Sequence, residues 1–214
     1  MGNIFKLDSP VMRFFTLVTN LVCLNMLWLL CCLPVVTAGA ATTAMYYVVF
    51  QYINKQDDAV IKPFFAAFKD NFRQVTPIWI LNLLIGAALA AEVFYLSQGA
   101  ETWLIVVFAI LVFLYIGATS YLYPIMARYD APTRNSVMNC FALSLRHLPS
   151  TLLVVCLNAV PVVMYFLKTD IFWKTSILWL VGGCALIAYA NGRILLSIFK
   201  NYEAPEENAL CEEL

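Results

Sequence analysis

The chain has 214 residues, of which 63% are hydrophobic and only 12% charged. A soluble domain is about half apolar and about a quarter charged, so these few charges could not cover a water-soluble core, and lipid must do the covering. Lys plus Arg and Asp plus Glu are 13 each; no basic field exists, and nucleic acid is not an expected partner.

No charge occurs between Phe14 and Asn54, a stretch too long for one span. It divides at Pro34, because proline cannot continue the hydrogen bonding of the helix before it, and Thr37 is placed to cap the helix that follows. The pattern predicts a first helix over about 12–33 and a shorter second one over about 38–54. Charges then return: Lys55, Asp57, Asp58, Lys62, Lys69, Asp70 and Arg73, with Phe64, Phe65, Phe68 and Phe72 at helical spacing between them. That is an interfacial amphipathic helix over about 60–74. Pro77 opens a third span over about 77–96, and the break Ser97-Gln98-Gly99-Ala100-Glu101 leads to a fourth over about 102–126.

A second amphipathic segment, about 133–147, presents Val137, Met138, Phe141 and Leu145 on one face. Spans over about 149–167 and 175–199 follow, separated by Lys168, Asp170 and Lys174, and the chain ends in an acidic tail from 201 to 214. The expectation is an all-α, polytopic membrane helix bundle in one domain, with six spans and two interfacial helices. A count of five follows if 38–54 dips into the bilayer and returns, since its 17 residues sit at the lower limit for crossing.

Six spans put both termini on one side, together with Lys6, Arg13, Lys55, Lys62, Lys69, Arg73, Arg128, Arg134, Arg146, Arg193 and Lys200. Only Lys168 and Lys174 fall on the other. Eleven cations against two place the N- and C-termini in the cytoplasm by the positive-inside rule. Five spans would make it nine against four. Ala38-Gly39-Ala40 has the look of a signal-peptidase site, but the apolar run before it is too long and another apolar helix follows.

A shift of 73 residues superimposes Asp57 on Asp130, Phe68 on Phe141 and Arg73 on Arg146, and Tyr129-Asp130-Ala131-Pro132 on Tyr202-Glu203-Ala204-Pro205. Each unit holds an amphipathic helix and two spans, which gives parallel repeats about an axis along the membrane normal.

Polar groups inside spans need partners. They are Asn20 and Asn25 in the first span, Asn82 in the third, Asn158 in the fifth, and Asn191 and Arg193 in the last. Interhelical fastening at about 0.6 kcal/mol each competes with a polar path between helices. Arg193 lies within snorkelling reach of the cytoplasmic face. The small-residue run from Thr37 through Gly39 to Ala44 permits close helix approach. The seven cysteines contain no C-x-x-C pair and the one histidine is His147, so no metal or other cofactor is expected. No G-x-S-x-G, H-E-x-x-H or phosphate-binding glycine loop is present, and an enzyme is not expected.

Three stretches share a likeness: Asn20 with Asn25-Met26-Leu27-Trp28 and Leu33-Pro34-Val35-Val36-Thr37-Ala38-Gly39-Ala40-Ala41-Thr42-Thr43-Ala44; Phe64 with Phe68-Lys69-Asp70-Asn71-Phe72-Arg73-Gln74; and Tyr123-Pro124-Ile125-Met126-Ala127-Arg128-Tyr129. Over about residues 12–150 the chain resembles the YesL-like family of bacterial integral membrane proteins of unknown function, departing from it at Ala40, where that motif has proline. The resemblance implies a bacterial cell-membrane protein found beside genes of carbohydrate uptake, and so an accessory of a carbohydrate ABC importer. The alternatives are a small-solute transporter or channel in its own right, which the intramembrane asparagines and the repeat favour, and a structural or assembly factor. Partners are therefore the lipid bilayer and a carbohydrate ABC importer; the oligomeric state is not legible.

Overall fold

The computed structural model describes residues 10–56, 59–96, 99, 101–129, 132–166 and 176–212, and among these every regular element is helical. Helix α1 (Pro10–Cys32) ends in a tight turn through a 3-10 segment, Val35–Thr37. There follow α2 (Ala38–Ile53), α3 (Ile61–Leu96), α4 (Thr102–Arg128), α5 (Thr133–Arg146) and α6 (Leu148–Phe166), and a π-helical turn, Trp179–Gly183, leads into α7 (Cys184–Glu212). Most of the expected turn at 97–101 and the charged turn of Lys168, Asp170 and Lys174 lie outside the described residues, as do Asp57 and Asp130.

Among the described residues, five helices are long and apolar enough to cross a membrane: Val11–Cys32, Ile61–Leu96, Thr102–Arg128, Leu148–Tyr165 and Ser176–Tyr202. The helical membrane bundle expected from composition is therefore what forms. The sixth candidate, α2, has 16 residues, about 24 Å at 1.5 Å per residue against a hydrocarbon layer of about 30 Å. It is also the most enclosed element: ten of its residues are buried, in one run from Gly39 to Tyr46 broken only by Thr42, and again at Val48, Val49 and Phe50. The other helices pack around it.

Small residues set that packing. A Cβ on Gly39 would lie 2.6 Å from Trp79 Cβ and 3.3 Å from Val75 Cγ1 on α3. A Cβ on Gly192 of α7 would lie 2.7 Å from Val49 Cγ1. At both places a side chain of one helix lies directly on the backbone of the other, where any Cβ would collide with it. The α1–α2 turn is held by Thr37, whose hydroxyl sits against the carbonyls of Cys31 and Pro34, the latter at 2.7 Å. Thr37 thus occupies the N-cap position of α2 but makes no cap bond there; its side chain ties down the end of α1 instead.

Two further expectations change. The first amphipathic segment and the third span are one helix, α3, running through Pro77. A proline removes one backbone donor but does not end a helix whose neighbours hold it straight. Its counterpart 73 residues on is broken at His147 (φ −117°, ψ 50°) into α5 and α6. On α5 the apolar face points outward, with Met138 61%, Phe141 47% and Leu145 52% exposed, while Ser136, Cys140 and Ser144 are buried. Those small side chains let α5 fold back along α4, where a Cβ on Gly117 would sit 3.8 Å from Ser144 Cβ. The last helix runs on to Glu212, past the point where the acidic tail was expected to leave it.

Replacing Gly39 by valine forces α2 off α3, and the detergent-solubilised variant is expected to lose about 1–3 kcal/mol, read as a lower midpoint in a thermal unfolding scan. Gly86→Ala is the control: its nearest neighbour across the added Cβ is 3.8 Å away, and it should unfold at or above the parent midpoint.

Candidate functional site: a neutral cavity between the hairpin and the spans

Asparagines fasten the bundle at three levels. Asn25, fully buried on α1, donates through Nδ2 to the carbonyls of Trp179 (3.2 Å) and Leu180 (2.6 Å) and accepts the Ala185 N–H on Oδ1 (3.0 Å). The π-turn at Trp179–Gly183 disturbs the regular helical ladder, and one amide side chain from another helix supplies the missing partners. Asn191, also fully buried, donates to Asn158 Oδ1 (2.9 Å) and the Tyr46 hydroxyl (3.4 Å), and its own Oδ1 has no partner. Asn82 donates to the Tyr123 hydroxyl at 3.2 Å, while its backbone carbonyl accepts from the Tyr115 hydroxyl at 2.8 Å.

Between these fastenings lies a cavity of about 610 Å³, within the range typical of small-molecule sites. Trp28 of α1 and Thr42, Met45 and Tyr46 of α2 form one wall. The stretch from Trp79 to Ala87 of α3, Tyr115 to Tyr123 of α4, Asn158 and Pro161 of α6, and Cys184 to Ala188 of α7 form the rest. Five aromatic rings and the polar groups of Thr42, Asn82, Thr119, Ser120 and Asn158 face it, and no Asp, Glu, Lys, Arg or His lines it. The indoles are pinned: Trp28 Nε1 donates to Thr42 Oγ1 (3.1 Å) and Trp79 Nε1 to the Val35 carbonyl (2.7 Å). With Asn82 Nδ2 directed at Tyr123, the Tyr123 hydroxyl hydrogen and the Asn82 side-chain oxygen are left for a ligand.

The residues singled out from sequence divide accordingly. Asn82 lines the cavity, and Asn191 stands behind it through Asn158 and Tyr46. Asn25 lies away from it, on the π-turn. Gly39, Pro34 and Thr37 build the hairpin end that carries the Val35 acceptor. Asn20 is half-buried beside a small apolar recess with Leu17, Leu24 and Val48. Arg193 is exposed, its guanidinium 5.6 Å above the Tyr189 ring, and does not reach the cavity. Trp28, Tyr46, Trp79, Tyr115 and Tyr123 were not singled out as site residues; aromatic side chains in an apolar chain carry no distinguishing signal until helix pairing aims them at one space. Thr151 was missed as well: its hydroxyl lies 2.9 Å from the Ser144 carbonyl and 3.1 Å from the Tyr121 hydroxyl, and so joins α5, α6 and α4.

Among the described residues no group of three or more His, Cys, Asp or Glu side chains could hold a metal ion, and six cysteines are free. Burial pushes the Cys140 thiol on α5 up to about 12, which leaves it protonated and poorly nucleophilic.

The fold and the site together define a polytopic α-helical membrane protein with an open, uncharged, aromatic-lined cavity. A family described as "Protein of unknown function, DUF624" matches residues 21–93, which include α2, the hairpin turn and most of α3. The chain is 26% identical over 215 residues to the uncharacterized protein YteU of Bacillus subtilis (strain 168), an alignment covering 95% of this chain and 88% of YteU. Neither similarity carries the YesL-like name that the motifs led us to expect; both lead to proteins of unestablished function. No solved structure matches the chain.

Asn25→Ala removes three bonds and Asn82→Ala one side-chain bond. At about 0.6 kcal/mol per bond, Asn25→Ala should cost about 2 kcal/mol and Asn82→Ala well under 1, so detergent melts should separate the two clearly. Equal midpoints would contradict the role given to Asn25 at the π-turn.

Proposed function

We propose that this is a bacterial cell-membrane protein that binds a small uncharged solute in the cavity, with both termini in the cytoplasm. The cavity carries the reading. A charged ligand would give up its hydration to a lining that offers no counter-charge, at a cost of many kcal/mol. A neutral molecule with an apolar face for the rings and hydroxyl or amide groups for Asn82, Tyr123 and Asn158 matches what the walls offer. The eleven-to-two charge bias supports the orientation.

An uncharged saccharide has these properties, and the resemblance to proteins found beside carbohydrate-uptake genes supports that choice. It is read here as a solute-binding or transporting protein first. Service as an accessory of a carbohydrate ABC importer is the second reading, favoured by the outward apolar face of α5 between Arg134 and Arg146, where a partner could dock. No catalytic role is proposed.

Titration of the protein in nanodiscs with a panel of uncharged mono- and disaccharides, followed by tryptophan fluorescence, tests the binding. A saturable change is expected from at least one sugar, weakened tenfold or more in an Asn82→Ala, Tyr123→Phe double variant. A flat response across the panel would count against a saccharide ligand. Recovery of an importer permease with the tagged protein from native membranes, and its loss in Phe141→Glu, would favour the accessory reading.

A further inference from the structure

Residues three and four apart share a helix face, so the cavity-lining face of each helix can be followed in both directions, and the two directions differ. Toward the ends that carry Lys55, Arg128, Arg146 and Lys200, every such face closes. On α3 the step from Trp79 back to Val75 reaches a fully buried side chain, and on α6 the step from Asn158 back to Val154 does the same. On α2 the face passes from Tyr46 to the buried Val49, and on α4 from Tyr123 to the buried Met126. On α7 it passes from Ala188 to Asn191 and Leu195, both fully buried. These side chains form the floor of the cavity.

In the other direction the faces stay open. Beyond Ala87 that of α3 continues through Ala90 to Phe94, which is 71% exposed. Beyond Tyr115 that of α4 runs through the half-buried Val112 and Phe108 to the exposed Ile105. Beyond Pro161 that of α6 runs through Val162 and Tyr165, 53% and 60% exposed. A Cβ on Gly86 would meet nothing closer than the Tyr115 hydroxyl at 3.8 Å. The cavity therefore has a floor and, among the described residues, no roof. The walls of its open end are almost wholly hydrocarbon. Glu92, the one charged residue of α3 past Trp79, falls on the opposite side of the helix by its spacing. Water does not fill an apolar space of this kind, whereas lipid tails suit it as well as leucine does.

We propose that the cavity takes the head group of a membrane-dissolved amphiphile, one with an uncharged head bearing hydroxyl or amide groups and a hydrocarbon chain. The head lies above the floor, between the rings of Trp28 and Trp79 and against Asn82 and Tyr123. The chain runs out along the open faces of α3, α4 and α6 into the bilayer. This rests on the reading of the cavity as a site for a neutral polar group, and adds the route: the ligand arrives from the membrane and not from water. Both ends of the ligand are matched. A lining with no counter-charge rejects a phosphate or ammonium head, and the open end offers an alkyl chain a continuation of the lipid it already occupies. A free sugar would instead have to shed its water against apolar walls on the way in.

The test uses full-length protein in nanodiscs and, as probe, dodecyl glucoside with a photoactivatable diazirine at the end of its chain. Irradiation should label the segments 83–96, 102–115 or 162–165 saturably, and unlabelled dodecyl glucoside should remove the label. The same chain on a phosphate or trimethylammonium head should label them about tenfold less, since the lining has no counter-charge. Ala87→Trp, which fills the open end, should cut labelling several-fold. Leu81→Trp, at an exposed position on the opposite side of α3, should leave it unchanged, and thermal melts confirm that both variants fold. Labelling that ignores the charge of the head, or that survives Ala87→Trp in folded protein, overturns the proposal. Methyl glucoside in the aqueous phase separates the two readings. If it displaces the probe as well as dodecyl glucoside does, the ligand comes from water; the lipid route is then overturned while the neutral solute site stands. If saturable labelling is untouched by methyl glucoside, the lipid route is supported and the water-borne saccharide is not.

Discussion

Everything in this bundle depends on the close approach of α2 to its neighbours at two glycines. Lipid tails are as apolar as leucine, so burial of apolar area does little to hold helices together in a bilayer; tight van der Waals contact and interhelical hydrogen bonds must do it. Gly39 lets the Trp79 side chain of α3 lie directly on the backbone of α2, and Gly192 lets the Val49 side chain of α2 lie directly on the backbone of α7. Ala40, Ala41 and Ala44, all with no exposed surface, keep the rest of the helix thin enough to be surrounded. A helix too short to cross comfortably thereby becomes the axis of the molecule.

The polar side chains complete the fastening, and they are placed where the backbone is irregular or where helices diverge. Asn25 serves the π-turn that opens α7. Thr37 and Trp79 serve the carbonyls of the hairpin tip. Asn191, Asn158 and Tyr46 join three helices where the cavity begins. The cavity lies beside the hairpin, between Trp28, Thr42, Met45 and Tyr46 on one side and α3, α4, α6 and α7 on the other. Its neutrality follows from that position, since it is walled by apolar spans from which charge is excluded by cost.

Much of this was legible in the sequence because charge marks boundaries in a membrane chain. The starts of α2 and α4 and the division at Pro34 fall where expected. Pairing was not legible. Nothing local showed that 60–74 and 77–96 fuse through Pro77, because a proline ends a helix only when its surroundings leave it unsupported. The apolar face of α5 turns outward at Met138, Phe141 and Leu145, as an interfacial helix requires, while the inward packing of the small residues Ser136, Cys140 and Ser144 had no signal in the sequence. Asn25, Asn82 and Asn191 were found by their cost in a bilayer, but which of them faces a cavity was settled only by the helix arrangement.

A cross-link between α2 and α7 tests the axial position of α2 most directly. With Val49 and Gly192 both replaced by cysteine, the Cβ of residue 192 falls 2.7 Å from the position of Val49 Cγ1, which puts the two Cβ atoms close to the separation of about 3.5–4.5 Å that a disulfide needs. Mild oxidation of the folded double variant in membranes, otherwise free of cysteine, should convert most of it to the intramolecular disulfide, seen as a mobility shift that reductant reverses. A variant that remains folded yet stays reduced, while freely available to a small permeant maleimide at both positions, would show that α2 does not run between α3 and α7.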